Sequence, residues 1–211
     1  PALFTRNLTD AFTSLAPVDQ QADDTAIAEP KIQSLDLSFS VAADKPNTLL
    51  ALVGATVVTM QEADSQQQVL SDGVILIKEN RITAVGVRGE INIPSNAKIV
   101  DVSGKTVIPG LIDAHAHGGM GSEEIIPQQN WMQLSNLAFG VTSIHDPSND
   151  TSEIFTHAEM QRAGLILGPR TWSTGTILYG ANAPGATTEV HSLEDAEFHV
   201  ERLRSSGAIS V

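Results

Sequence analysis

The stretch "GLIDAHAHGG", residues 110–119, places two of the chain's six histidines one residue apart at the end of an apolar run. If this run is a β-strand, its side chains alternate between faces, so His115 and His117 point the same way with Cβ atoms roughly 7 Å apart. Asp113 shares their face. Two imidazoles at this separation can each donate a nitrogen to one metal ion. The stretch therefore predicts a metal site with His115 and His117 as ligands and Asp113 beside them in a substrate-binding or supporting role.

Upstream of this stretch, the pattern predicts a small β-sandwich over residues 48–108. "GVILIKENRITAVG" has the signature of a hairpin with a tight turn at Glu79 and Asn80, and "AKIVDVSGKTVIPG" repeats that form with a turn at Ser103 and Gly104. Residues 1–47 are expected to be an extended, polar lead-in, with one strand signal in "SLDLSFSV" (34–41).

Downstream of Pro109 the pattern alternates between strands and helices. Strands are predicted in "GLIDAHAH", "VTSIHDP", "PRTWSTGTILYG" and "AISV", and helices in "PQQNWMQLSNLAFG", after Asp150, and between Ser192 and Gly207. Asp150 and Glu153 have the spacing of a capping box, and Trp131, Leu134, Leu137 and Ala138 are expected to share the core-facing side of the first helix.

This alternation predicts an α/β fold with parallel βα units. Four such strands could form a small open sheet or the first half of an eight-stranded barrel. Because the sequence ends inside a predicted strand, we expect the second arrangement, with residues 109–211 as the first four βα units of a barrel.

Composition restricts the classes of partner. Asp and Glu outnumber Lys and Arg by 25 to 12, for a net charge of −13, and such a surface repels nucleic-acid backbones. The chain has no cysteine, which excludes disulfides and thiolate metal ligands. No apolar stretch reaches the ~18 residues of a membrane span. A small-molecule substrate is the expected partner. The sequence leaves open whether the protein forms a homo-oligomer.

Other candidate residues have more than one interpretation. His145 and Asp146 end the second predicted strand and either line the pocket, orient a ligand histidine, or cap the strand. Tyr179 lies on the glycine-rich stretch "GTILYGANAPG" (175–185), which either faces a substrate or only connects two elements. Solvated or packing roles are predicted for the three histidines on or beside helices, namely His157, His191 and His199.

The segment "GKTVIPGLIDAHAH" resembles the first-strand signature of the amidohydrolase superfamily, the metal-dependent hydrolases built on a (β/α)8 barrel with a small β-sandwich. "ENRITAVG" is similar to the family's sandwich hairpin and "GVTSIHDPSND" to its second-strand region, so the resemblance covers residues 48–211. The chain most resembles the imidazolonepropionase and prolidase-like branch. "SLDLSFSVAADKP" further resembles exported proteins that place a TolB-like propeller before the hydrolase module, which would imply a periplasmic or exported location; otherwise the location is unassigned.

This resemblance implies the first half of a (β/α)8 TIM barrel preceded by a β-sandwich. It implies hydrolysis of amide or other C–N bonds, in dipeptides or cyclic amides, with one or two divalent ions, zinc foremost. His115 and His117 match the family's first two metal ligands. The family's lysine after strand four, its two further histidines and its proton-shuttling aspartate are expected beyond residue 211.

Two alternatives remain from the sequence. The barrel half could be a non-catalytic scaffold or interaction module that has lost its later ligands, or a metal-free barrel isomerase, in which the histidine pair has no role. The residues that follow Val211 would separate these possibilities, since a lysine there and two later strand-end histidines favour the metal-dependent enzyme.

Overall fold

A computed structural model describes residues 2–5, 32–61, 69–180 and 187–211. The chain divides into two units, residues 1–42 and 43–211. In the first unit, strand β1 (Ala2–Thr5) pairs antiparallel with strand β2 (Gln33–Asp36). The strand predicted over 34–41 ends at Asp36, because its carboxylate accepts hydrogen bonds from the backbone N–H and hydroxyl of Ser38 and turns the chain. Most of the predicted lead-in, residues 6–31, lies outside the described residues.

The second unit begins with a five-stranded mixed sheet. Its strands are β3 (Leu49–Val58), β4 (Val69–Lys78), β5 (Arg81–Val87), β6 (Lys98–Asp101) and β7 (Thr106–Val107). The order is β5-β4-β3-β6, with β7 also paired to β3. Alternate β3 side chains are buried, and they form two apolar clusters with residues of β4. The described strands of this region form a single sheet, so the second layer of the predicted sandwich stays a prediction.

The predicted turn at Glu79 and Asn80 is present, with Lys78 opposite Arg81 in the β4–β5 hairpin. The second predicted hairpin is wrong. The turn at Ser103 and Gly104 exists, but β6 and β7 both run parallel to β3.

Gly54 explains this arrangement. Its φ is +89°, the β3 register shifts next to it, and a Cβ there would overlap the Ser103 hydroxyl. Because β3 bulges at Gly54, the turn between β6 and β7 can lie close to β3, and both strands can pair with it.

The remainder of the second unit alternates strands and helices. Strands β8 (Leu111–Asp113), β9 (Val141–Asp146) and β10 (Arg170–Ser173) form a parallel sheet in the order β10-β9-β8. Helices α1 (Trp131–Ala138) and α2 (Thr151–Ala163) separate them, and α3 (Leu193–Ser206) follows. Two short strands, β11 (Ile177–Tyr179) and β12 (Thr187–Glu189), pair in parallel. The fold is mixed α/β, as the sequence predicts.

Two predicted strands differ from the structure. Strand β8 ends at Asp113 rather than His117, because the Asp113 carboxylate accepts a hydrogen bond from the His115 backbone N–H at 3.0 Å and begins a turn. Residues 208–211 do not form the predicted fourth strand. Ala208 N–H instead donates to the Leu203 carbonyl, completing the end of α3 at Gly207.

The predicted capping residue of α2 is confirmed, whereas the predicted buried side of α1 differs from the structure. Asp150 caps α2 by accepting from the N–H groups of Ser152 and Glu153, although the Glu153 carboxylate accepts from Glu124 instead of closing a capping box. In α1 the predicted core face is wrong: Trp131 is 75% exposed, whereas Gln133 is 2% exposed and donates to the Met120 sulfur. In α3, Leu203 is the residue that is fully buried within the described structure.

No helix within the described ranges combines the length and apolar character needed to cross a bilayer.

Candidate functional site

His115 and His117 lie immediately after β8, at its carboxyl end. Their ring centroids are 4.9 Å apart and the ring planes meet at 77°. Both side chains are exposed, whereas Ala116 between them is buried in the cluster with Met120, Ile144 and Ile154. The chain turns at Ala114 and His115 after β8, and the two exposed imidazoles flank the buried Ala116. Burial of Ala116 directs both imidazoles to the same open side.

A cavity of about 220 Å³ adjoins the pair. Asp113, His115 and His117 line one side, and residues of α1, including Trp131, Met132 and Asn136, line the other. Complete small-molecule sites usually measure about 300–1,000 Å³. The cavity that the described residues line is smaller than this range.

Asp146, the last residue of β9, lies behind His117. Its side chain is fully buried, and its Oδ1 is 3.5 Å from His117 Nδ1. The same oxygen accepts from the Ser148 backbone N–H at 2.9 Å, and Oδ2 accepts from Asn149 Nδ2 at 2.8 Å. The Ser148 hydroxyl is 3.4 Å from His117 Nδ1. The Nδ1 edge of this imidazole therefore faces a carboxylate and a hydroxyl.

Side-chain amides hold the backbone that follows the histidines. Asn149 Nδ2 donates to the Gly118 carbonyl at 2.9 Å, and Asn130 Nδ2 donates to the Gly119 carbonyl at 2.8 Å. Asn130 is also the N-cap of α1, accepting from Met132 N–H. Ala116 N–H donates to the His145 carbonyl of β9. The loop carrying both histidines is thus tied to β9 and to the beginnings of α1 and α2.

The other predicted site residues have different positions. Asp113 lines the cavity and forms the turn before His115. The half-buried His145 faces Ser210, with its Nε2 2.8 Å from the hydroxyl. Tyr179 is half exposed on β11, and neither it nor His145 is among the residues that line the described cavity beside the histidine pair.

The three remaining histidines lie on or beside helices α2 and α3. His157 is completely buried in α2, neither of its ring nitrogens has a hydrogen-bond partner within the described structure, and desolvation lowers its pKa. His191 is exposed and lies 3.5 Å from the Glu189 carboxylate. His199 Nε2 is 3.6 Å from Asp195 on the same helix. These positions agree with packing and solvated roles.

Sequence reasoning missed Asn130, Ser148 and Asn149. Asn130 directly precedes a predicted helical pattern and Asn149 stands just before the cap of another, both common places for side-chain capping. That signal predicts helix starts, but it does not predict that the same amides reach the histidine loop.

The donor chemistry of the pair fits part of a metal site. Imidazole nitrogens are common ligands of Zn²⁺, and two adjacent exposed rings can share one ion. Across the described ranges, no three His, Cys, Asp or Glu side chains gather in a metal-binding arrangement. Further ligands would therefore have to join His115 and His117.

No family model matches the chain. A 5-methylthioadenosine/S-adenosylhomocysteine deaminase of Clostridium tetani is 38% identical over 80 residues, covering 36% of this chain and 18% of the relative. An imidazolonepropionase of Geobacillus sp. is 27% identical over 126 residues, covering 54% and 30% of the two chains. Among solved structures, a putative prolidase from Bifidobacterium longum has a TM-score of 0.62 and 28% identity, covering 77% of this chain and 39% of that one.

These relatives are amidohydrolases that act on C–N bonds, and they support the amidohydrolase superfamily for this chain. Their common architecture is consistent with a partial TIM-barrel domain. The chain spans less than half the length of each relative. The propeller fusion stays a prediction.

Proposed function

We propose that the protein is a metal-dependent hydrolase of amide or other C–N bonds, with His115 and His117 as two of its metal ligands. The observation that carries this proposal is the pair of exposed imidazoles, 4.9 Å apart, at the carboxyl end of a parallel strand. That end of a strand is where α/β barrels place their catalytic groups. The C–N bond chemistry of the relatives supports the reaction class.

Zinc is the proposed metal, as one or two ions. A bound divalent cation supplies Lewis acidity that polarises a scissile carbonyl and lowers the pKa of water. The chain's own residues bind and orient: the Asp113 turn fixes the backbone at His115, and Asp146 with Ser148 faces the Nδ1 edge of His117. The remaining ligands and the proton-transferring carboxylate are proposed to lie beyond residue 211.

The proposed substrate is a small molecule, such as a dipeptide or a cyclic amide. The cavity wall on α1 combines the apolar side chains of Trp131 and Met132 with the amide of Asn136. Such a wall offers apolar contact and hydrogen bonding to one molecule, the usual composition of small-molecule sites. This supports an amide-containing substrate with an apolar group.

Metal analysis of the intact protein tests the proposal. We expect a near-stoichiometric divalent metal in the wild type, and loss of both metal and hydrolysis of a dipeptide and cyclic-amide panel when His115→Ala and His117→Ala are combined. His191→Ala is the matched control, because this imidazole is 74% exposed and pairs with Glu189. Metal content that stays unchanged in the double variant would contradict the assignment.

A non-catalytic scaffold is the second candidate, favoured by the lack of a third ligand among the described residues. It predicts that the purified wild type carries no stoichiometric metal and regains none after dialysis against zinc. The metal analysis therefore separates the two functions before any substrate is identified.

A further inference from the structure

We propose that Asp146 is a positioning residue for His117: its buried carboxylate holds the ring with Nδ1–H toward Oδ1 and leaves the Nε2 lone pair for a metal. The use of Nε2 rests on the proposed function, whereas the orientation of the ring does not. The supporting juxtaposition is the 3.5 Å separation between Asp146 Oδ1 and His117 Nδ1.

The burial of Asp146 argues against a strand-end cap alone. Its side chain has 0% exposure, whereas the His117 side chain is 54% exposed. Burying a carboxylate costs free energy unless its oxygens are paired. A neutral Ser or Asn could accept the Ser148 N–H as a cap does. The contact with Ser148 N–H therefore does not require a charged residue at position 146. The imidazole of His117, which the carboxylate faces, explains the charge.

The contacts also distinguish the two ring nitrogens. Nδ1 faces Asp146 Oδ1, which can only accept, at 3.5 Å, and the Ser148 hydroxyl, which can donate or accept, at 3.4 Å. The negative charge favours a proton on Nδ1, and in neutral imidazole the other nitrogen then keeps its lone pair. Partners of this kind around metal-binding histidines typically affect metal affinity by about 10–100-fold.

The carboxylate is itself held in place. Asn149 Nδ2 binds both Asp146 Oδ2, at 2.8 Å, and the Gly118 carbonyl, at 2.9 Å. One amide thus links the carboxylate to the backbone that follows His117. Movement of Asp146 and of the histidine loop is therefore coupled through Asn149.

The first experiment measures the tautomer of His117 in the metal-free intact protein. The protein is labelled with ¹⁵N-histidine, long-range ¹H–¹⁵N correlations are recorded at a pH where the imidazole is neutral, and His117→Gln identifies the signals. We expect the Nδ1–H tautomer. An Nε2–H tautomer in the wild type would overturn the proposal, and this measurement does not depend on any Asp146 variant folding.

The second experiment compares zinc affinities by competition with a chromogenic chelator. Asp146→Asn removes the charge with little change of shape and should weaken zinc binding by about 10–100-fold. Asp150→Asn is the matched control: it makes the same change four residues later, at a position where Asn still caps α2. Ser148→Ala should have a smaller effect than Asp146→Asn, because the carboxylate remains.

These outcomes separate the two proposals. If the wild type binds no zinc, or if binding survives loss of both His115 and His117, the proposed function fails and the tautomer still decides the positioning role. If zinc binding needs both histidines but Asp146→Asn binds as tightly as Asp150→Asn, the positioning role is wrong and the proposed function stands.

Discussion

Asn130 joins the start of α1 to the loop that follows the histidine pair, through a 2.8 Å hydrogen bond from its Nδ2 to the Gly119 carbonyl. Its Oδ1 simultaneously accepts from Met132 N–H at 3.0 Å. One nearly buried amide therefore caps a helix and fixes the direction in which the chain leaves the site. Loss of the Asn130 side chain should therefore affect both the stability of α1 and the position of the loop after the histidine pair.

Asn130→Ala is expected to destabilise the intact protein by about 1–2 kcal/mol, because the N-cap and the Gly119 contact are lost together. Asn130→Ser keeps a capping oxygen and should recover more than half of that loss. Urea unfolding of both variants provides the comparison. Equal destabilisation by Ser and Ala would show that the cap contributes little at this position.

Gly110→Ala should destabilise the protein by about 1–3 kcal/mol, the range for overpacking. A Cβ at Gly110 would overlap the side chain of Thr142 on the neighbouring strand β9, including its Cβ at 2.7 Å. Adding Thr142→Ala should restore part of the stability in a double-mutant cycle. Gly180→Ala is the control, since a Cβ there meets no atom of the described chain within 4 Å. Equal free energies of unfolding for Gly110→Ala and Gly180→Ala would contradict the overlap.

Glu79→Gly is expected to stabilise the protein by up to about 1 kcal/mol, because the left-handed backbone costs an L-residue more than it costs glycine. Glu79 has φ = +57° in the β4–β5 turn. Glu79→Ala retains that backbone cost and should give no gain. Urea titration of the two variants measures the difference, and a gain as large with Ala as with Gly would assign the effect to the lost side chain instead.

The parts of the fold that local patterns determine could be predicted from the sequence. The βα alternation, the cap of α2 at Asp150 and the Glu79 turn all depend on neighbouring residues. The one-residue spacing of His115 and His117 likewise predicts adjacent rings, which lie 4.9 Å apart. Their role as metal ligands remains a prediction.

Some errors arose from local turns, such as the Asp113 carboxylate that ends β8 by accepting from His115 N–H, and others arose where distant residues decide the structure. Strands β6 and β7 look like a hairpin locally, but the bulge at Gly54 lets both pair with β3. Trp131 fits an apolar helical face, yet it begins α1 beside the open cavity and is 75% exposed. The burial of Asp146 behind His117 results from packing between β9 and the loops, which one strand pattern cannot show.

His157 should make the protein lose stability as the pH falls below about 6.5, the ordinary pKa of an unfolded-state histidine. Burial lowers the pKa of His157 in the folded protein, so the unfolded chain takes up a proton there at a pH where the folded chain does not. The free energy of unfolding is then fully maintained above about pH 6.5 and falls by up to ~1.4 kcal/mol per pH unit below it, until the folded-state pKa is reached.

His157→Leu fills a similar volume without a titrating group and should remove this slope. The comparison is made by urea unfolding of the two proteins at intervals between about pH 7 and pH 5, above most carboxylate titrations. Because neither ring nitrogen of His157 has a hydrogen-bond partner in the described chain, the substitution leaves no donor or acceptor unpaired. A slope of the same size in the leucine variant would mean that other groups produce the acid sensitivity, and that folding does not change the proton affinity of His157.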